Sequence, residues 1–272
     1  MHRWVAAGVA LLALVALACK AGTGGGPAGS GGDLPSSMVA LGDSITAGYG
    51  SCLAPTACPR NSWSTGDGTQ VNSHYRRIRA ENPAIRGHAR NLSVPGATSA
   101  DLPRQAAAAS TVEYVTVLIG ANDACRGGID DMTPVDTFRG RLDAALDTLG
   151  TRMPKADVLV VSIPDVYRVW EVGHNNAVAR RIWAGGVCPA LLANPTSTAQ
   201  ADRARRETFR NRVDAYNREL SAACRAHDNC RYDGGAAHEV KFGLDQLTAL
   251  DFFHPNAAGQ NKLAAVTWSL SG

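Results

Sequence analysis

Two stretches of the chain are apolar almost without interruption, Tyr114-Val115-Thr116-Val117-Leu118-Ile119 and Val158-Leu159-Val160-Val161. A strand with one wet face alternates apolar and polar residues, whereas an unbroken run suits a strand covered on both faces, as in a parallel sheet. Three more strands are predicted at Met38–Leu41, Ile85–Leu92 and Cys230–Asp233. Between them the apolar spacing turns helical at Val71–Ala80, Leu102–Ser110, Val135–Arg152, about Thr198–Ala226, and Ala257–Leu270. Pro134 is expected in the first turn of the third of these. Strands alternating with helices predict a three-layer α/β fold, with right-handed crossovers about a central parallel sheet of about five strands. Asp165–Pro195 breaks the rhythm and reads as a long insertion. Loops of that length are usually binding elements or lids, and its Trp170 and Trp183 suit a substrate platform or the core equally.

The N-terminus follows a different pattern. His2 and Arg3 precede the apolar run Trp4–Ala18, which is short for a membrane span and ends in small residues, so 1–18 is expected to be a removable export signal. Val15-Ala16-Leu17-Ala18-Cys19 resembles a bacterial lipobox, which would make Cys19 the lipid-modified first residue of a protein held at the outer face of the cell membrane. Ala16-Leu17-Ala18 also serves as an Ala-x-Ala cleavage site, leaving free secretion as the alternative. Gly22–Gly32 is nearly all Gly, Ala, Ser and Pro, so residues 19–35 are expected to form a tether and 36–272 one catalytic domain.

Charge excludes more than it suggests. The formal net charge of the 272 residues is +3, reduced by one when Arg3 leaves with the signal, and no basic footprint for nucleic acid results. Arg203, Arg205, Arg206, Arg210, Arg212 and Arg218 form the one local concentration. They alternate with Glu207, Asp214 and Glu219 and with apolar Phe209, Val213, Tyr216 and Leu220, which predicts an amphipathic helix with a solvated charged face.

In a parallel α/β sheet ligands bind beyond the carboxyl ends of the strands, so the chemistry is sought there. The first strand runs into Gly42-Asp43-Ser44, the second into Asn91-Leu92-Ser93-Val94-Pro95-Gly96-Ala97, and the third into Gly120-Ala121-Asn122-Asp123. Asp251-Phe252-Phe253-His254-Pro255 follows the fifth, and all four clusters are expected on one edge. A serine hydroxyl needs an adjacent base to act as a nucleophile, and His254 is the candidate base for Ser44. Asp251, three positions before His254, can reach the ring's Nδ1 proton in a tight turn and leave Nε2 to face Ser44. Pro255 is expected in the first turn of the last helix. The Gly96 amide, the Asn122 carboxamide and the Ser44 amide are candidate donors to an oxyanion. Taken singly, each cluster is equally a helix cap, a turn or a loop.

As a set and in this order, the clusters resemble the SGNH, or GDSL-type, hydrolase family. Gly42-Asp43-Ser44 matches its nucleophile block, Gly96 its glycine block, Gly120-Ala121-Asn122-Asp123 its asparagine block, and Asp251-Phe252-Phe253-His254 its Asp-x-x-His block. Ile45 stands where the family's name has Leu. The resemblance implies a flavodoxin-like fold and a cofactor-free serine esterase or lipase. Its implied catalytic residues are Ser44, Asp251 and His254, with Ser44, Gly96 and Asn122 as the oxyanion hole. Implied substrates are carboxylic esters of short to medium acyl chains, with acetylated sugars and phospholipids as alternatives on the same site. The expected protein is a monomer with a small-molecule, lipid or acylated-sugar ester as substrate and no nucleic-acid partner; a lipid anchor would be its only tie to a membrane.

Seven cysteines less Cys19 leave six, an even number suited to an oxidising compartment and open to 15 pairings. The set in sequence order is favoured, Cys52–Cys58, Cys125–Cys188 and Cys224–Cys230, an arrangement that looks like secreted actinobacterial members of the family. No Cys-x-x-Cys or His-x-x-x-His spacing announces a metal site. Two rival classes remain: a metal-dependent phosphoesterase using Asp43, Asn122, Asp123 and His254 as ligands, and a binding protein on an inactive hydrolase scaffold.

Overall fold

A computed structural model describes residues 34–269. The expected signal segment 1–18, Cys19 and most of the tether lie outside the described residues, as does Leu270. Five strands, β1 (Met38–Gly42), β2 (Ala89–Asn91), β3 (Tyr114–Leu118), β4 (Asp157–Val160) and β5 (Cys230–Tyr232), form one sheet in the order β2-β1-β3-β4-β5. Every neighbouring pair is parallel. β1 and β3 are buried along their whole length, which explains their nearly unbroken apolar sequences; Thr116 of β3 pairs its buried hydroxyl with Ser64 Oγ (2.7 Å).

Among the described residues, ten α-helices accompany the sheet: α1 (His74–Glu81), α2 (Leu102–Ala108), α3 (Ala121–Ala124), α4 (Val135–Arg152), α5 (Tyr167–Gly173), α6 (Ala177–Trp183), α7 (Pro189–Leu192), α8 (Gln200–Cys224), α9 (Ala236–Glu239) and α10 (Ala257–Val266). α2 packs on α4 and α4 on α8, forming one layer. Across the sheet, the start of α1 meets α10 through Asn72 N–H donating to Asn261 Oδ1 (2.8 Å) and His74 Nε2 bonded to Thr267 Oγ1 (3.0 Å). The result is the three-layer, flavodoxin-like architecture. Among the described residues, no helix is long and apolar enough to cross a membrane.

Several boundaries differ from the sequence reading. The second strand is only Ala89–Asn91, because Pro83–Ile85 forms a 3-10 turn and Gly87 takes a positive φ of 78°, breaking the extended run. Pro134 caps α4 from outside instead of sitting in its first turn. Pro255 likewise precedes the helix, since Asn256 is the N-cap of α10 and its side chain accepts from Gly259 N–H. The final helix ends at Val266 rather than at Leu270.

The insertion 165–195 is not an open loop but carries α5, α6 and α7. Asn176 caps α6 by accepting from Val178 and Ala179 N–H, and Pro189 opens α7 at a position where its missing N–H is harmless. Trp183 is buried against Gly173, where an added Cβ would lie 2.3 Å from the indole. The structure joins Cys52 to Cys58, Cys125 to Cys188 and Cys224 to Cys230. The second of these ties the end of α3 to the start of α7.

Candidate active site

The chain leaves β1 for β2 on one side and continues from β3 towards β5 on the other, so the crevice between β1 and β3 is the topological switch point of the sheet. Gly42 ends β1 there with φ +145°, and a Cβ on it would lie 2.2 Å from Leu118 O in the neighbouring strand. Only glycine lets β1 approach β3 this closely while turning out of the sheet. The next residues coil tightly, with Ala47 N–H donating to Asp43 O and Tyr49 N–H to Ser44 O. Two side chains hold this turn: Gln105 pairs with both backbone groups of Gly42 (2.7 and 2.9 Å), and Gln260 donates to Ile45 O (2.7 Å).

Ser44 Oγ lies 2.8 Å from His254 Nε2, and His254 Nδ1 lies 2.7 Å from Asp251 Oδ2. Asp251 is strongly organised: its Oδ1 accepts from the N–H groups of Phe253 (2.8 Å) and His254 (3.0 Å). Burial by itself would push this carboxyl up, but the hydrogen bond and charge of His254 and these backbone donors outweigh burial and hold it below the ordinary carboxylate value. An ionised Asp251 only accepts, so the proton between it and the ring sits on Nδ1, and Nε2 is free to accept from the Ser44 hydroxyl.

The turn that carries this pair is braced from several sides. Thr248 N–H donates to His254 O (2.8 Å), Trp183 Nε1 donates to Asp251 O (3.1 Å), and the Tyr49 ring stands 4.8 Å from the imidazole. Between Asp251 and His254, Phe252 has φ +49°, a left-handed conformation uncommon for a bulky residue and held here by Phe252 N–H donating to Thr248 O.

The candidate oxyanion donors lie on the segments that follow β1, β2 and β3. Among the described residues, neither Ser44 N–H nor Gly96 N–H donates to another protein group. Val94 N–H donates to Gly42 O (3.1 Å), which docks the Gly96 turn on the end of β1. Asn122 Nδ2 donates one hydrogen to Ala97 O (2.9 Å), leaving its second for a ligand. Cys125, at the end of α3, carries the disulfide to Cys188.

Two acids beside the site have no part in the expected serine relay and enter the sequence reading only as ligands of the rival phosphoesterase. Asp123 is buried and accepts from Ser99 N–H (2.8 Å) and Ser99 Oγ–H (2.6 Å), so it pins the segment after Gly96 to the segment that carries Asn122. Asp43 is buried; its Oδ1 accepts from Ile45 N–H (2.9 Å), and its Oδ2 has no partner among the described residues. Burial pushes Asp43 up to about 7, with the Ile45 N–H and the His254 charge opposing and Asp123 adding to the rise. Among the described residues, no three His, Cys, Asp or Glu side chains converge so as to hold a metal ion.

A small apolar cavity of about 30 Å³ adjoins the site. It is lined by Ile45, Ala121, Phe253 and Pro255, chain neighbours of Ser44, Asn122 and His254, and by Val166 and Val169 at the start of α5.

Comparison with known proteins points the same way as the geometry. Phospholipase B1, membrane-associated, of Rattus norvegicus is 29% identical over 191 residues, a match covering 56% of this chain and 13% of the relative. This chain therefore spans only a small part of that protein's length. The solved structure of an acetylxylan esterase from Geobacillus stearothermophilus, a catalytic mutant, superposes with a TM-score of 0.52 at 18% identity, covering 85% of this chain and 91% of the other. At that identity the likeness concerns the fold. The sequence profile of the GDSL-like Lipase/Acylhydrolase family matches residues 40–262, a span that takes in all four polar clusters, and the chain belongs to that family.

Proposed function

We propose that residues 36–272 are the catalytic domain of a serine carboxylic ester hydrolase that favours short acyl groups and works through an acyl-enzyme. The observation that carries this reading is the unbroken relay from Asp251 through His254 to Ser44, at 2.7 and 2.8 Å, together with Ser44 and Gly96 N–H groups that have no partner among the described residues. Ser44 Oγ attacks the ester carbonyl carbon while His254 Nε2 takes the hydroxyl proton, and Asp251 stabilises the imidazolium without itself being protonated. The carbonyl oxygen, now negative, is received by the amides of Ser44 and Gly96 and by the Asn122 carboxamide. The C–O bond to the alcohol then breaks, and His254 returns its proton to the leaving alkoxide. Water repeats the sequence on the acyl-Ser44 ester, releasing the acid and restoring the serine hydroxyl.

The acyl preference rests on the apolar cavity beside Ile45 and Ala121, whose roughly 30 Å³ is only about two to three times the roughly 10–15 Å³ that one water needs and so suits a short acyl chain better than a long one. A series of nitrophenyl esters from acetyl to decanoyl tests both parts. The expected kcat/KM is highest at two to four carbons, a rate maximum at eight or more defeats the preference, and a Ser44→Ala variant of undiminished rate defeats the mechanism. Three disulfides support an oxidising compartment, and export as a lipoprotein through Cys19 remains part of the proposal. Mass spectrometry of the mature N-terminus, showing either an acylated Cys19 or an unmodified one, decides it.

A further inference from the structure

Arg206 does not belong to the solvated face that the arginine-rich sequence predicts. It lies on the same stripe of α8 as Phe209, Val213, Tyr216 and Leu220, and only 3% of it is exposed. Its guanidinium sits over the Trp170 ring at 4.6 Å, and Nη2 donates to Ser197 O (2.9 Å). Nη1 is buried and has no partner among the described residues. The ion pairs of α8 use Asp202, Arg205, Asp214 and Glu219; among the described residues Arg203, Arg206 and Arg210 take part in none. A guanidinium cannot shed its proton, so burying one with neither a counter-charge nor a full set of acceptors is unfavourable unless something supplies them.

The surroundings say what that something is. Arg206 lines a cleft of about 630 Å³ between one face of α5, the 195–198 segment and the first turns of α8. Arg203 and Arg210 are exposed on the same wall, where Arg210 lies over Tyr167 at 5.2 Å, and among the described residues Glu207 is the one carboxylate lining the cleft. Three guanidinium groups against one carboxylate leave a formal excess of two positive charges, which matches a dianion. Thr196, Ser197 and Thr198 line the wall beside them. The planar guanidinium fork is suited to tetrahedral phosphate oxygens.

We propose that this cleft is a phosphate-binding site, taking the phosphate of a soluble phosphate ester or of a lipid headgroup. It is distinct from the ester site, because α5 stands between them: Val166 and Val169 line the small apolar cavity near Ile45, whereas Tyr167 and Trp170 line the cleft. The proposal therefore holds or fails independently of the catalytic assignment.

Calorimetric titration of the full chain with inorganic phosphate and glycerol phosphate tests it, beside co-sedimentation with phosphatidylcholine vesicles with and without phosphatidic acid. Two variants are needed: Arg206→Met, and the double variant Arg203→Ala/Arg210→Ala, whose positions are exposed and whose fold is not at risk. The expected result is saturable binding that weakens about tenfold or more in both variants, with hydrolysis of a short nitrophenyl ester unchanged. Binding of the soluble anions assigns the site to phosphate esters. Arginine-dependent sedimentation with phosphatidic acid, in the absence of soluble binding, assigns it to a headgroup. Absence of both overturns the proposal, as does binding that the double variant leaves intact or that acetate matches at equal concentration.

Discussion

Asp43→Asn should change the pH dependence of stability more than its level at low pH. The carboxyl of Asp43 is wholly buried, and one of its oxygens has no partner among the described residues, so the charged form is disfavoured and the group titrates at about 7 in the folded protein instead of 3.8. The unfolded chain therefore releases this proton near pH 4 and the folded chain near pH 7. Between those values the folded state binds more protons, so Asp43's contribution to stability is complete below about pH 4 and declines as pH rises to about 7. At roughly 1.36 kcal/mol per unit, the wild type gives up on the order of 4 kcal/mol across this window. Asn reproduces the neutral acid, with an oxygen to accept from Ile45 N–H, but does not titrate. Urea unfolding of both proteins at pH 4.5, 6 and 8 should show wild-type stability falling relative to the variant as pH rises. A difference that stays flat across the series, or grows in favour of the wild type, would mean that Asp43 is charged in the fold and that burial does not govern it.

Three further outcomes follow from the site and its staples. Ser44→Ala and His254→Ala should each lower kcat by about 10⁶-fold if the relay acts as a unit, while Asp251→Asn should lower it less; steady-state kinetics that rank Asp251 equal to or above His254 would refute the order. Asn122→Ala should cost about 10²–10³-fold in kcat with little change in KM, and a variant that raises KM alone would move Asn122 from the oxyanion to ground-state binding. The Cys125–Cys188 bridge closes 63 residues and the Cys52–Cys58 bridge only 6. In a chain-entropy account, replacing the first pair by Ala should cost about 4 kcal/mol and the second about 2, and denaturant midpoints in the reverse order would show that folded-state effects dominate.

What the sequence disclosed, and what it hid, follows from how far each feature reaches along the chain. The sheet was readable because β3 and β4 carry nearly unbroken apolar runs and the apolar parts of β1 and β3 give way to Gly42 and Gly120, so the polar residues after each break could only lie at the strand ends. That rule, together with the family's block order, singled out Ser44, Asn122 and His254 as candidates. Gln105, Gln260 and the Asp123–Ser99 pair were not, because a buried amide that holds a turn 63 or 215 residues away leaves no local pattern. The helices of the insertion had local signals, Asn176 as a cap and Pro189 at a helix start, but each helix is too short for its period to stand out.

Arg206 is the instructive miss. Read by charge, it belongs with its arginine neighbours on a wet face. Read by position, it precedes Phe209 by three residues and Val213 by seven, which puts it in line with the buried stripe. A charged residue in register with the core is a local conflict, and conflicts of that kind collect where a protein binds something. Helical phase outranked residue type here, and the same test applied along α8 separates Arg206 from the exposed Arg203, Arg210 and Arg218 without reference to the fold.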